Sequence, residues 1–147
     1  MSTSIESFIS DLERIKAELP KEAERLILGK LKAEIIDLNT GSQLFDLGID
    51  SEGKFLGNYS SFTIFDKKQR GLPFNRITLF NYGDFYRGWD LRIVNNAVQF
   101  FSRDSKSSML QDDYGSSIFG LTTDNAYKLN YELLAPKLDE FIAKNIR

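Results

Sequence analysis

The residue pattern closest to catalytic chemistry is a carboxylate set among aromatic side chains. Asp84 directly precedes Phe85 and Tyr86, and Trp89, the single tryptophan of the chain, follows a few positions later. Enzymes that cleave glycosidic bonds pair one carboxylate with a second, and the two environments drive the two pKa values apart. The pattern therefore raises a carboxylate-dependent carbohydrate hydrolase as one hypothesis.

A hydrolase of this kind needs a second acid across a cleft from Asp84. Three residues qualify by type alone, and nothing in the sequence places them opposite Asp84: Asp90, Asp112 and Asp113. A simpler interpretation is that Asp84 caps a local turn while the aromatic residues fill the core. We therefore predict a non-enzymatic protein with no catalytic residue, and keep the hydrolase as an alternative. A stand-alone module that binds a small ligand or oligosaccharide is a further alternative.

The chain has no cysteine and no histidine, which excludes much chemistry. Disulfides, thiolate nucleophiles, Ser-His-Asp triads and metals held by His or Cys all require these residues. Oxygen ligands for a hard cation are available near Asp50 and Glu52, but their spacing does not match an EF-hand loop. Asp50 to Gly53 is more simply a turn, in which Asp50 bonds nearby backbone and the glycine takes a positive φ. We predict neither a cofactor nor a metal site.

Net charge and composition limit the classes of protein to which the chain can belong. The formal net charge is -2 and the hydrophobic share is 41%, which is typical of a soluble globular protein and gives no electrostatic case for specific nucleic-acid binding. The short basic run from Lys67 to Arg70 is more simply a solvated helix or turn. We expect no membrane partner, since no apolar run is long enough to cross a bilayer, and no signal peptide.

Apolar periodicity predicts helices at both ends of the chain. A helix begins near Ser4, and Pro20 either divides the first forty residues into two helices or kinks one. The helical pattern stops near Asn39-Thr40-Gly41, and residues 41–60 are a turn-rich connection. The last helix is capped by Thr122 or Thr123 and kinked at Pro136.

The middle of the chain contains the clearest strand signal. Trp89, Leu91 and Ile93 alternate with polar residues, Asn95-Asn96 forms a turn, and residues 97–101 return as a second strand. We expect Trp89, Leu91, Ile93, Val98 and Phe100 to face the core. Residues 82–88 are a short helical turn or a tight bend, and residues 59–70 fit either a strand or a helix.

The order of these signals resembles a family of bacteriophage structural proteins: the head–tail joining and tail-completion (neck) proteins, related in fold to HK97-type gp10 proteins. Residues 36–60 carry the first part of the resemblance. Residues 79–86 with the strand 89–94 resemble the family's "Leu-x-x-Thr-Gly-x-Phe/Leu" entry to its sheet, with Tyr82 where the pattern often has Thr. Residues 114–122 and the C-terminal helix are similar to the closing segment.

The resemblance implies a virion component made in the bacterial host cytoplasm. It implies an α+β fold: a small antiparallel sheet or partial barrel packed against N-terminal and C-terminal helices. The chain, 1–147, would be a single domain with residues 1–19 as a possible helical arm. Its partners would be the portal or adaptor, the tail tube or tail terminator, and further copies in a homo-oligomeric ring. The structural or interaction candidates are Tyr82, Gly83, Asp84, Phe85, Trp89, Tyr114 and Phe119.

Overall fold

The structure is a computed structural model that describes residues 4–146. Contacts divide these residues into two compact units. The terminal unit contains residues 4–32 and 127–146, and the central unit contains residues 33–126. The expected single domain with residues 1–19 as an arm stays a prediction, and residues 1–3 of that arm lie outside the described part.

The terminal unit begins with α1 (Ile5–Leu28), which starts where the sequence predicts. Ser4 is its N-cap, and the Ser4 hydroxyl accepts a hydrogen bond of 3.0 Å from a backbone N–H three residues later. Neither expected alternative holds as stated: α1 includes Pro20, and the helical segment is divided after Leu28 and not at Pro20. Ile15 and Leu26, which flank Pro20, are both buried, and their packing offsets the hydrogen bond that proline cannot make.

The C-terminal helical segment changes type along its length. α6 (Thr123–Tyr127) is followed by a π-helix (Lys128–Leu134) and then by α7 (Ala135–Asn145). The predicted cap is confirmed at Thr122, whose hydroxyl accepts a hydrogen bond of 3.2 Å from a backbone N–H three residues later. Pro136 lies in the first turn of α7, where a missing N–H costs no helical hydrogen bond.

Within the terminal unit, α1 packs against the π-helix and α7. The Arg14 guanidinium donates a hydrogen bond of 2.6 Å to the backbone oxygen of Asn145, and Leu129 is buried. One charged contact and an apolar seam therefore hold the two ends of the chain together.

The chain enters the central unit through α2 (Lys32–Asp37), which continues into a second π-helix (Leu38–Leu47). The predicted helix end near Asn39-Thr40-Gly41 is therefore wrong. The helix ends instead at Gly48, whose φ of 63° is the left-handed geometry that glycine adopts without strain. Side-chain bonds from Asn39 and Gln43 to distant backbone, described below, hold this π-helix in place.

The ambiguous segment 59–70 is a helix, α3 (Ser61–Gln69), capped by the Ser60 hydroxyl. The expected short helical turn is α4 (Asp84–Arg87). After the hairpin come α5 (Ser107–Tyr114) and a single 3₁₀ turn.

The predicted hairpin is confirmed: β1 (Trp89–Val94) pairs antiparallel with β2 (Ala97–Ser102). Asn95 and Asn96 have φ values of 51° and 61°, as a two-residue hairpin turn requires. Trp89, Leu91 and Phe100 are buried as predicted, whereas Ile93 and Val98 are only half-buried because they lie at the turn end of the hairpin.

The predicted fold class is confirmed: the chain is α+β, with a small antiparallel sheet and helices at both ends. The sheet has two strands. None of the helices in residues 4–146 is both long and apolar enough to cross a membrane.

Candidate binding site

Tyr82 and Gly83 form the tight entry to α4. Gly83 has a φ of 88°, and a Cβ at this position would lie 3.2 Å from the ring of Phe80, so both backbone and packing require glycine. The Tyr82 ring is exposed, and the Arg70 guanidinium lies 4.3 Å from its centroid. These two predicted residues shape a turn and the surface beside it.

Phe85, Trp89 and Phe119 form an aromatic core in the central unit. The centroid of the Trp89 ring lies 4.7 Å from that of Phe119 and 5.7 Å from that of Phe85. The ring centroids of Phe85 and Phe119 are 5.9 Å apart. Phe85 and Trp89 are buried. Aromatic pairs at these distances stabilise a fold by packing, so these three predicted residues are structural.

Asp84 is half-exposed and faces two cations. It forms an ion pair with Arg87, and its other oxygen lies 3.9 Å from the Lys106 ammonium. A general acid needs a carboxyl in an apolar setting, and Asp84 does not have one. The residues that line the adjacent cavity do not include the three acids considered as its partner: Asp90, Asp112 and Asp113.

A cavity of 390 Å³ opens beside Asp84, between α3, α5 and the stretch that enters α4. Four of the predicted residues line it: Tyr82, Asp84, Phe85 and Tyr114. Burial raises the pKa of Tyr114, and the neighbouring Tyr59 and Asp113 raise it further, so its phenol stays protonated well above neutral pH. The structure therefore brings four of the seven predicted residues together at one concave site.

Leu79, in the cavity wall, has a φ of 61°. Only glycine and, less often, Asn or Asp adopt this geometry readily, so Leu79 is strained. Strain of this kind persists only where surrounding structure enforces it, and it concentrates at functional sites.

Tyr59, Thr78 and Tyr86 form a hydrogen-bonded network beneath the cavity, and sequence reasoning missed it. The Tyr59 hydroxyl accepts from the Thr78 N–H at 3.0 Å, and the Tyr86 hydroxyl donates to the Thr78 carbonyl at 2.5 Å. Burial raises the pKa of Tyr86, so this donor is also neutral. The network fixes the stretch of chain that carries Leu79.

The predicted solvated face at residues 67–70 is wrong for Lys67. Only 5% of Lys67 is exposed, and its ammonium donates to the Phe80 carbonyl. The ammonium also lies 4.6 Å from the centroid of the Tyr59 ring. Helical spacing could have revealed this, since Lys67 lies three residues after the half-buried Ile64 on the inner face of α3.

Asp50 forms the predicted turn. Its Oδ1 accepts from the backbone N–H groups of Glu52 and Lys54, each at 2.9 Å, and Gly53 has a φ of 80°. Its Oδ2 accepts from the Ser117 hydroxyl at 3.0 Å, so the carboxylate also ties two loops together. Residues 4–146 contain no group of three acidic, His or Cys side chains that could hold a metal ion.

A buried amide network joins the π-helix of the central unit to the loop before α6, and the sequence does not reveal it. The Asn39 side chain donates to the Ile118 carbonyl at 2.9 Å and accepts from the Gly120 N–H at 2.6 Å. Gln43 donates to the Gly120 carbonyl at 2.9 Å, and its oxygen accepts from the Asn125 side chain at 2.9 Å. These polar side chains are buried because each is hydrogen-bonded.

Comparison with known proteins adds no relative: no protein-family model, no curated protein and no solved structure matches this chain. The resemblance to phage neck proteins therefore stays a prediction from the sequence.

Proposed function

We propose that this chain is a non-enzymatic structural protein of the bacteriophage head–tail connector or tail-completion ring, working through contacts between proteins. The observation that carries the proposal is an apolar row left exposed on the first half of α1. Its members follow helical spacing and are between 40% and 74% exposed: Ile5, Phe8, Ile9 and Leu12. A contiguous apolar stripe in water marks a surface that another protein covers.

The partner that best fits this row is a second copy of the chain. α3 presents a second exposed apolar pair, Phe62 and Phe65, which are 82% and 63% exposed. The accessible charges around the two surfaces differ in sign: Glu6 and Glu13 lie exposed along the row on α1, whereas α3 and its C-cap present Asp66, Lys68 and Arg70, with a net positive charge. Apolar patches with complementary charged surroundings favour specific docking.

A contact between α1 of one copy and α3 of the next uses two different surfaces of the same chain. Such a heterologous contact repeats from copy to copy and closes into a ring when the rotation allows it. This is the assembly that a connector or completion ring needs, and the order of sequence motifs independently supports that class.

The alternative of a carbohydrate hydrolase has weaker support. Asp66 is the second carboxylate at the cavity, and it lies 3.3 Å from the Arg70 guanidinium. Asp84 is likewise ion-paired, with Arg87. Retaining and inverting hydrolases both require one carboxyl whose surroundings keep it protonated, and cationic neighbours do the opposite.

Self-association tests the proposed contact. Sedimentation velocity of the full chain at rising concentration should show assembly, and Ile9→Asp should weaken it by at least about tenfold, because an aliphatic contact is replaced by a charge that must be desolvated. Ser10→Asp is the matched control: it adds the same charge one residue away, on an exposed polar position. Equal behaviour of the two variants, or a wild-type chain that stays monomeric at hundreds of micromolar, would contradict the contact.

The phage assignment has its own test. The gene should lie among genes for portal, capsid and tail-tube proteins, and electron microscopy of the chain mixed with that portal should show a ring on the portal. A gene with none of these neighbours would overturn the assignment.

A further inference from the structure

The cavity beside Asp84 contains a buried cation without an anionic partner. Lys67 has three N–H donors, and one of them bonds the Phe80 carbonyl. No carboxylate among residues 4–146 forms an ion pair with it, and its ammonium also lies over the face of the Tyr59 ring. Buried charges in proteins are normally paired, so this ammonium lacks a partner.

Both carboxylates at the cavity already face other cations. Asp66 pairs with Arg70 at 3.3 Å, and Asp84 pairs with Arg87 and lies 3.9 Å from Lys106. The two carboxylates therefore face four cations, and Lys67 is the one of the four that forms no ion pair among the described residues. An incoming group that completes the site must be negative.

The other residues that line the cavity indicate what kind of molecule would carry this negative charge. Ile77, Phe80, Phe85 and Leu110 form apolar walls, and the neutral Tyr114 phenol lies among them. The volume of 390 Å³ falls within the range of small-molecule sites, which are mostly apolar with a few polar groups that orient the ligand.

We propose that this cavity binds a carboxylate carried on an apolar body, with Lys67 as its counter-ion. The carboxylate accepts the ammonium protons that the Phe80 carbonyl leaves unused, and the apolar body packs against Phe85 and Leu110. This chemistry fits a free organic acid, and it also fits an acidic side chain on an apolar protein segment. The inference does not depend on the connector proposal, because it rests on the cavity alone.

The competing role for Lys67 is purely structural. Its ammonium would then only join α3 to the Phe80 carbonyl and stack on Tyr59. A structural lysine predicts no preference of the cavity for acids over their neutral amides, so ligand discrimination separates the two roles.

The experiment is a titration of the full ¹⁵N-labelled chain followed by amide chemical shifts. The probes are 4-phenylbutyrate, its neutral analogue 4-phenylbutanamide, and the blocked peptide acetyl-Leu-Glu-Phe-amide. At least one acidic probe should give saturable shifts at Thr63, Phe80 and Leu110, which surround the cavity. The neutral amide should bind about tenfold more weakly, since a hydrogen bond to a buried charge is lost. Tighter binding of the free acid identifies a small-molecule site, and tighter binding of the peptide identifies a protein segment.

Two neighbouring lysines provide the matched variants. Lys67→Met should weaken binding of the acid about tenfold or more while leaving the neutral amide unchanged. Lys68→Met changes the adjacent, exposed lysine and should leave both affinities unaltered.

If Lys67→Met does not fold, the comparison of acid and amide on the wild-type chain decides between the two roles of Lys67. Equal affinities for acid and amide, or no saturable shift with either acidic probe, would overturn the proposal. Ile9→Asp, which disrupts the assembly surface, should bind the acid as wild type does, so failure of one proposal leaves the other testable.

Discussion

Replacing Gln43 with leucine should destabilise the central unit more than any surface substitution. Gln43 is fully buried, and its side chain makes three hydrogen bonds of 2.9 Å. The partners are the Gly120 carbonyl, the Thr122 N–H and the Asn125 side-chain amide. Leucine has a similar volume and cannot make any of these bonds.

The expected loss of stability follows from the polar groups that Gln43→Leu leaves without a hydrogen-bond partner. The Asn125 amide nitrogen keeps its bond of 3.0 Å to the Leu38 carbonyl, but its second N–H loses the Gln43 oxygen. The Gly120 carbonyl and Thr122 N–H each lose their side-chain partner. A buried group without a partner costs about 1–3 kcal/mol, and these two are only part-buried, so the total should be about 2–3 kcal/mol.

The assay is urea unfolding monitored by Trp89 fluorescence. Trp89 is the single tryptophan and lies in the central unit with Gln43, so the signal reports the unit under test. Gln69→Leu makes the same change at an exposed position on α3, and it should alter the free energy of unfolding by no more than about 0.5 kcal/mol. A Gln43→Leu variant as stable as the control, with an unchanged dependence on urea, would refute the idea that this network stabilises the unit.

Two further predictions concern the hairpin and the buried phenols. Asn96→Ala should lower the free energy of unfolding by about 1 kcal/mol, because alanine is strained at a φ of 61°. Asn96→Gly should not lower it, because glycine adopts a positive φ without strain. Equal stabilities of the two variants in urea would contradict the proposed turn. Burial raises the pKa of Tyr86 above that of an unfolded tyrosine, so the stability it provides is present below about pH 10 and is lost as pH rises beyond it. Tyr86→Phe should therefore flatten the fall of stability between about pH 10 and 11.5, and an unchanged slope in urea titrations would count against a buried neutral phenol.

Several elements could be predicted because their signals are local. The predicted caps at Ser60 and Thr122 each bond a backbone N–H three residues away. The hairpin depends on alternation and on two asparagines that tolerate positive φ. Residues within a few positions of each other decide these structures, so a short window of sequence contains the needed information.

The features that the sequence predicted wrongly or not at all depend on contacts between residues that lie far apart along the chain. The helix end near Asn39 was wrong because the bonds of Asn39 and Gln43 reach partners roughly eighty residues away, such as Asn125, 82 positions after Gln43. Lys67 looked solvated because its partner, the Phe80 carbonyl, lies beyond the end of its helix. No window of sequence that covers one helix contains both partners.

The order of motifs implied the α+β fold class through the family resemblance. The residues by themselves determined the hairpin, several helix starts and the exclusion of thiol, imidazole and disulfide chemistry. Each of these follows from residue types or from spacing over a few positions. Only the tertiary structure decided that Tyr82, Asp84, Phe85 and Tyr114 share one cavity, and that Lys67 lies in it without an anion. Those facts depend on which distant segments pack together, because burial and charge pairing belong to the folded arrangement of the chain.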